Sequence, residues 1–340
     1  MGNSLLSRYI ALAANITLAL LSTAVVLVVA EIAFRLIAQS QEHHNPLRAR
    51  PRMLYLPEKY NYEFHDRRYL KKRSENSFRI AVVGDSFTKG GKVAFDDSFA
   101  KRLERSLNRN DSQPLVEVLK FGVSGNGTAM EANVVKGAIN HYKPDLILLQ
   151  ITLNDAEFGP HETSRILNLN RRTAMLQSGL YQNWKLYAFV QDRLYRHKLK
   201  GDLINYYKFL YNDQAHWKTF KRALISIKST SESNKTPVVF FLFPIFDYPL
   251  DDRYPLTAEH QKIARFIAAL NIPYLDLLPF YQGIEHHRLQ AIPGEDSHPN
   301  EVAHRIAANT LLRWLTELEL VPNEVVAKNS TVGPGALSVY

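Results

Sequence analysis

Apolar residues fall into distinct patterns along the chain. From Tyr9 to Ala30 they are nearly continuous, with Leu, Ala, Val and Ile dominating and no charged side chain. A bilayer core of roughly 30 Å is crossed by about 20 helical residues, so this run predicts a membrane-spanning helix. Further on, short apolar runs bounded by turn residues cover Arg79 to Val83, Val116 to Phe121, Asp145 to Thr152, Pro237 to Phe243 and Pro273 to Leu277. Such runs read as strands buried on both faces, the habit of parallel sheets. Helical spacing fills the gaps, over Asp97 to Leu107, Ala129 to His141, Trp217 to Ser229 and Thr257 to Leu270. A last helix runs from about Asn300 to Leu318, with Val302, Ile306, Leu311 and Leu315 along its expected buried stripe. Strands alternating with helices predict an α/β domain whose mainly parallel five-stranded sheet is covered on both faces.

This pattern divides the chain into an N-terminal anchor over residues 1–38, a lead-in over 39–78 and a domain over 79–320. Within the lead-in, Gln39 to Tyr69 mixes charge, proline and aromatics without periodicity, and is expected to pack partly on the domain. The stretch 156–216 is too long for a simple crossover and carries Arg165, Arg171, Arg172, Lys185, Arg193, Arg196, Lys198 and Lys200 among Leu, Tyr and Trp. A connection of that length is expected to hold helices of its own, either as a cap beside a site or as an ordinary insertion. Residues 321–340, rich in Pro, Asn, Ser and Gly, predict a disordered tail.

Composition narrows the chemistry. The chain of 340 residues has no cysteine, which excludes disulfides, thiol catalysis and the usual structural zinc sites. A formal net charge of +9 fits contact with anionic surfaces such as phospholipid headgroups or acidic polysaccharide, and equally a plain basic surface. No nucleic-acid motif is present, and His286 and His287 read as a surface pair, so neither nucleic acid, metal nor cofactor is expected.

Four short segments carry candidate chemistry: Gly84-Asp85-Ser86-Phe87-Thr88, Gly122-Val123-Ser124-Gly125-Asn126, Leu153-Asn154-Asp155 and Asp296-Ser297-His298-Pro299-Asn300. The first three each follow a predicted strand, where open α/β sheets place their ligand crevice. A serine hydroxyl becomes a useful nucleophile beside a histidine base oriented by a carboxylate. The oxyanion formed on acyl transfer needs preorganised donors, which backbone N–H groups near glycine and an asparagine amide supply. Asp85 reads as structural, fixing the turn before Ser86.

On these segments the chain resembles the SGNH, or GDSL-type, hydrolases over about Arg79 to Leu315. The resemblance implies a flavodoxin-like three-layer α/β/α sandwich and a serine esterase. It implies Ser86 as nucleophile and first oxyanion donor, Gly125 and Asn154 as further donors, and His298 as base. The usual third block reads Gly-Asn-Asp, and here Leu153 replaces the glycine. The commonest last block puts the acid three residues before the histidine, at Glu295; Asp296 fits the Asp-x-His spacing of some membrane-associated and polysaccharide-modifying relatives. Asp296 is the expected orienter and Glu295 the alternative.

The apolar N-terminus is longer than the roughly 7 to 15 apolar residues of a signal peptide, and no clear Ala-x-Ala site follows it. A retained anchor is expected, with cleavage as the rival. Arg35, Arg48, Arg50 and Arg52 follow the run while Arg8 alone precedes it, which by a positive-inside count would retain the domain in the cytoplasm. Long domains translocate regardless of such charge, and resemblance to anchored envelope hydrolases points to the extracytoplasmic side. The expected substrate is an ester, either an O-acyl glycan or a lipid. Transfer of the acyl group to a sugar, and a catalytically silent glycan binder, are the remaining readings.

Overall fold

The computed structural model of the chain describes residues 2–44, 60–61, 64, 66–109, 114–163, 175–294 and 296–322. The predicted tail and Glu295 therefore lie largely or wholly outside the described residues. The chain divides into two compact units, one of Met1–Arg50 with Asn168–Gly201 and one of Pro51–Leu167 with Asp202–Tyr340.

In the first unit, helix α1 covers Gly2–His44. Its stretch Arg8–Ile37 has a mean hydropathy of 2.4 in its most apolar window and none of that window is buried, so it is long and apolar enough to cross a membrane. A signal sequence has the same character. The unit also holds α5 (Gly179–Asn183) and the beginning of α6 (Lys185–Asn212).

In the second unit, the five predicted strands form one parallel sheet. They are β3 (Ser77–Gly84), β4 (Leu115–Gly122), β5 (Leu146–Ile151), β6 (Val238–Leu242) and β7 (Tyr274–Asp276), in the order β4-β3-β5-β6-β7. Two earlier strands, β1 (Tyr60–Asn61) and β2 (Asp66–Arg67), pair as a small antiparallel ribbon. Every residue of β5 and β6 is buried, because helices cover both faces. On one side α3 (Phe99–Leu107) packs on α9 (Glu301–Glu317); on the other α4 (Thr128–Tyr142) packs on α7 (Gln214–Ser233). Helix α8 (Thr257–Ala269) precedes β7 and packs on it. This is the three-layer, flavodoxin-like α/β/α arrangement. The strand order reverses between β3 and β5, and such a switch point opens a crevice at the carboxyl ends of its two strands.

The stripe of α9 differs from expectation. Ala303, Ala307, Leu311 and Leu315 are the buried positions, while Val302 and Ile306 are only partly buried. Small alanines let the helix approach its neighbours closely, so the larger residues are displaced to its flank. In the lead-in, Asp66 is 1% exposed. Its carboxylate accepts from Lys120 N at 3.0 Å and Tyr69 OH at 2.8 Å, and pairs with the buried Lys101 at 3.2 Å. A buried ion pair persists when its remaining donors and acceptors are engaged, as here, so this network pins residues 66–69 to the edge strand β4.

Candidate active site

Three loops and one ribbon converge at the switch point. The first is the turn after β3. Asp85 caps the short helix α2 (Ser86–Lys89), its Oδ1 accepting from Phe87 N at 2.8 Å. Gln150, the fifth residue of β5, lies beneath: its Oε1 accepts from Asp85 N at 3.3 Å, Thr88 N at 3.1 Å and Thr88 Oγ1 at 2.8 Å. Lys89 N returns to Asp85 O at 3.0 Å. These bonds use the amides of Asp85, Phe87, Thr88 and Lys89 and none uses that of Ser86. Gly84 and Gly122 pair across the two strands, and a Cβ at Gly122 would lie 2.1 Å from Lys89 N, so the close approach of α2 to β4 requires glycine there.

The fourth segment brings His298. Strand β8 (Gln290–Ile292) pairs with β9 (Asp296–Pro299), and Asn300 ties this ribbon to the start of α9. The Asn300 Oδ1 accepts from Val302 N and Ala303 N at 3.0 and 3.1 Å, while its Nδ2 donates to Arg288 O and Gln290 O at 2.8 and 3.1 Å. His298 thereby sits with Nε2 3.0 Å from Ser86 Oγ and Nδ1 2.6 Å from Asp296 Oδ1. An ionised carboxylate only accepts, so Nδ1 carries the proton and Nε2 is left to accept from the serine hydroxyl. Burial opposes the charged form of Asp296, but the bond and charge of His298 and the bond from Lys92 outweigh it and hold the carboxyl far below the usual carboxylate range. Lys92 Nζ lies 2.8 Å from Asp296 Oδ2.

Gly125 and Asn154 come from the loops after β4 and β5. Gly125 has φ 78°, a left-handed conformation that a side chain would strain. A Cβ there would also meet the His161 ring at 2.6 Å. Asn154 Oδ1 accepts from Thr152 Oγ1, and its Nδ2 lies 3.4 Å from Asp85 Oδ2. Leu153 is fully buried in the core and is not among the residues with positive φ, so this turn does not require the glycine it replaces.

Sequence reasoning missed Lys92, Gln150 and His161. His161 holds φ 58°, rare for a non-glycine residue, and its N–H donates to Gly125 O at 3.3 Å. It also gave no sign that Asp85, Glu131 and Asp155 are buried together behind the site. Burial raises the pKa of Asp85 despite the bonds it accepts. Burial and then the neighbouring Asp155 and Asp85 raise that of Glu131 much further, and neither Glu131 oxygen has a hydrogen-bond partner. Burial without a partner thus favours the neutral form of Glu131 in the fold. As pH rises above the ordinary glutamate pKa, the unfolded chain ionises while the folded chain keeps the proton, so stability falls by up to about 1.4 kcal/mol per pH unit until the folded group also ionises. Glu131→Gln is expected to raise the urea midpoint more at pH 8 than at pH 5; equal shifts at both would show that Glu131 is not held neutral. Asp155 has the same sign, so part of the slope should persist.

Among the described residues no group of three or more His, Cys, Asp or Glu could hold a metal ion. His286 and His287 lie with ring centroids 3.9 Å apart just before the β8–β9 ribbon, and His287 Nδ1 meets Glu285 Oε1 at 3.2 Å.

Residues 82–306 match the model of the GDSL-like Lipase/Acylhydrolase family. Similar solved structures include a member of the lipolytic protein G-D-S-L family from Veillonella parvula, 15% identical, covering 70% of this chain and 98% of that one with a TM-score of 0.42. A family 3 carbohydrate esterase from Clostridium thermocellum is 14% identical, covering 71% and 96% with a TM-score of 0.43. The psychrotrophic esterase EstA from Pseudoalteromonas sp. is 11% identical, covering 71% and 98% with a TM-score of 0.44. A search of curated proteins found no match.

Proposed function

The chain belongs to the GDSL-like lipase/acylhydrolase family and is a serine ester hydrolase, and we propose that it removes O-acyl, chiefly O-acetyl, groups from an envelope glycan through Ser86. The observation that carries this reading is the unbroken line of contacts from Ser86 Oγ through both His298 nitrogens to Asp296. Ser86 Oγ attacks the ester carbonyl and passes its proton to His298 Nε2, which returns it to the departing sugar oxygen. Water, deprotonated by the same nitrogen, then releases the acyl group as a carboxylic acid and restores the serine. The Ser86 and Gly125 N–H groups and the Asn154 amide hold the oxyanion.

Polar groups adjoin two parts of the constellation, Lys92 on Asp296 and His161 on Gly125, while Phe87 packs on the His298 ring with centroids 5.6 Å apart. Such surroundings favour a hydroxyl-rich alcohol and a short acyl group, whereas a long acyl chain needs a deep apolar slot. Helix α1 is read as a retained anchor, with the hydrolase on the extracytoplasmic side. The test is hydrolysis of p-nitrophenyl esters from acetate to palmitate by the full chain. A short-chain optimum is expected; a long-chain optimum would make the protein a lipid esterase instead. Asn154→Ala removes one oxyanion donor, and should cost about 2.7 to 4 kcal/mol of transition-state stabilisation, a hundredfold to thousandfold fall in kcat. Unchanged turnover would remove Asn154 from the oxyanion hole.

A further inference from the structure

The first unit joins residues 31–35 of α1 to a second helical segment. Glu31 directly follows the uncharged run, and its carboxylate caps α6: Oε1 accepts from Lys185 N at 2.9 Å and Oε2 from Leu186 N at 2.7 Å. Arg35 pairs with Glu31 at 2.8 Å and donates to Asn183 O at 2.7 Å. The Phe34 and Phe189 rings lie 4.7 Å apart. These contacts fix residues 183–189 at the height where the uncharged run of α1 ends, the boundary between hydrocarbon and headgroups if α1 spans a bilayer.

Around this joint the surface is unusually apolar. Leu180, Trp184, Phe189, Val190 and Leu194 are 60%, 47%, 46%, 43% and 61% exposed, beside an α1 whose Ile32 and Leu36 are 53% and 62% exposed. Contiguous exposure of that kind marks an interaction surface. It is also basic: Lys185, Arg193, Arg196, Lys198 and Lys200 stand against the single acid Asp192 between Met175 and Gly201. Val190 and Leu194, four residues apart, share one side of α6, and Arg193 and His197 flank them. Large apolar and aromatic side chains interleaved with cations suit the headgroup layer, where apolar parts insert and charges reach the lipid phosphates.

We propose that residues 175–201 form an interfacial collar, lying in the headgroup layer of an anionic bilayer where α1 leaves it, with Leu180, Trp184, Val190 and Leu194 inserted. The proposal rests on reading α1 as a retained anchor and adds to it a second, surface-lying contact that the apolar run alone does not imply. Continuity with the exposed face of α1 and the excess of cations select lipid as the occupant.

The absence of cysteine from the chain makes single-cysteine spin labelling direct. Leu180→Cys, Leu194→Cys and, as a reporter of the span, Val26→Cys would each be labelled in the full chain, reconstituted in phosphatidylcholine vesicles containing phosphatidylglycerol. Retained ester hydrolysis checks that each variant is folded. Relative accessibility to oxygen and to a water-soluble nickel chelate reads depth. The expected result is a deep label at Val26 and shallow but nickel-shielded labels at Leu180 and Leu194, shallower still without phosphatidylglycerol. A deep Val26 label with water-exposed labels at Leu180 and Leu194 would overturn the collar and leave the anchor standing. A water-exposed Val26 label would overturn both, and equal depths without phosphatidylglycerol would overturn the preference for anionic lipid.

Discussion

Ser86→Ala is expected to lower kcat for a short-chain ester by about 10⁶-fold, the scale seen when a triad nucleophile is removed. The fold should be unaffected. Ser86 is half-buried, its hydroxyl bonds only to His298 among the contacts described above, and the turn is held by Asp85 and Gln150 rather than by the serine side chain. An unchanged melting temperature should therefore accompany the loss. Residual activity should remain above the uncatalysed rate by about 10³ to 10⁴, since the oxyanion donors and binding contacts survive. The decisive measurement is paired: turnover of p-nitrophenyl acetate, and the mass of the protein quenched during turnover. Wild type should carry an acyl group on Ser86 and the variant none. Equal turnover in the two would exclude Ser86 as nucleophile and with it the proposed mechanism.

The sheet was legible because each strand is a compact apolar run ending in turn residues, and the reading needed no knowledge of tertiary contacts. Ser86, Gly125 and Asn154 each stand just past such a strand, which put them at one end of the sheet; that their three strands are neighbours is seen only in the fold. What could not be read were groups whose role exists only after folding. Gln150 looks like any residue of a buried strand, yet its Oε1 serves the turn 65 residues away. Lys92 reads as a surface lysine until the β8–β9 ribbon brings Asp296 to it. Glu131, in the first turn of a helix, has the sequence signature of a solvent-facing acid that complements the helix dipole, and tertiary packing buries it instead. The β1–β2 ribbon is too short for a period-two pattern, and its position depends on Asp66 meeting Lys101 and Lys120. In the α9 stripe Leu311 and Leu315 were legible, but at its N-terminal end close helix packing buries Ala303 and Ala307 in place of Val302 and Ile306.

Asp296→Asn is expected to reduce kcat by about 10⁴-fold with little change in KM. The carboxylate accepts from both the backbone N and the ring Nδ1 of its own i+2 histidine, at 3.1 and 2.6 Å, which fixes the tautomer as well as the ring. An asparagine amide turned to donate toward Nδ1 would place the imidazole proton on Nε2, facing Ser86, and the ring could no longer accept the hydroxyl proton. It would also remove the negative charge that stabilises imidazolium while the serine attacks. Glu295→Gln, at the spacing commonest in the family, is the matched control and should leave turnover within about tenfold of wild type. If Glu295→Gln instead shows the larger loss, the orienting acid is Glu295 and the Asp296 contact serves the ribbon. Lys92→Met separates orientation from charge. Lys92 is half-exposed and its ion pair solvent-screened, so its loss should shift turnover far less than loss of Asp296. A Lys92 effect as large as that of Asp296→Asn would mean that the lysine, and not the geometry of the carboxylate alone, keeps Asp296 in its catalytic position.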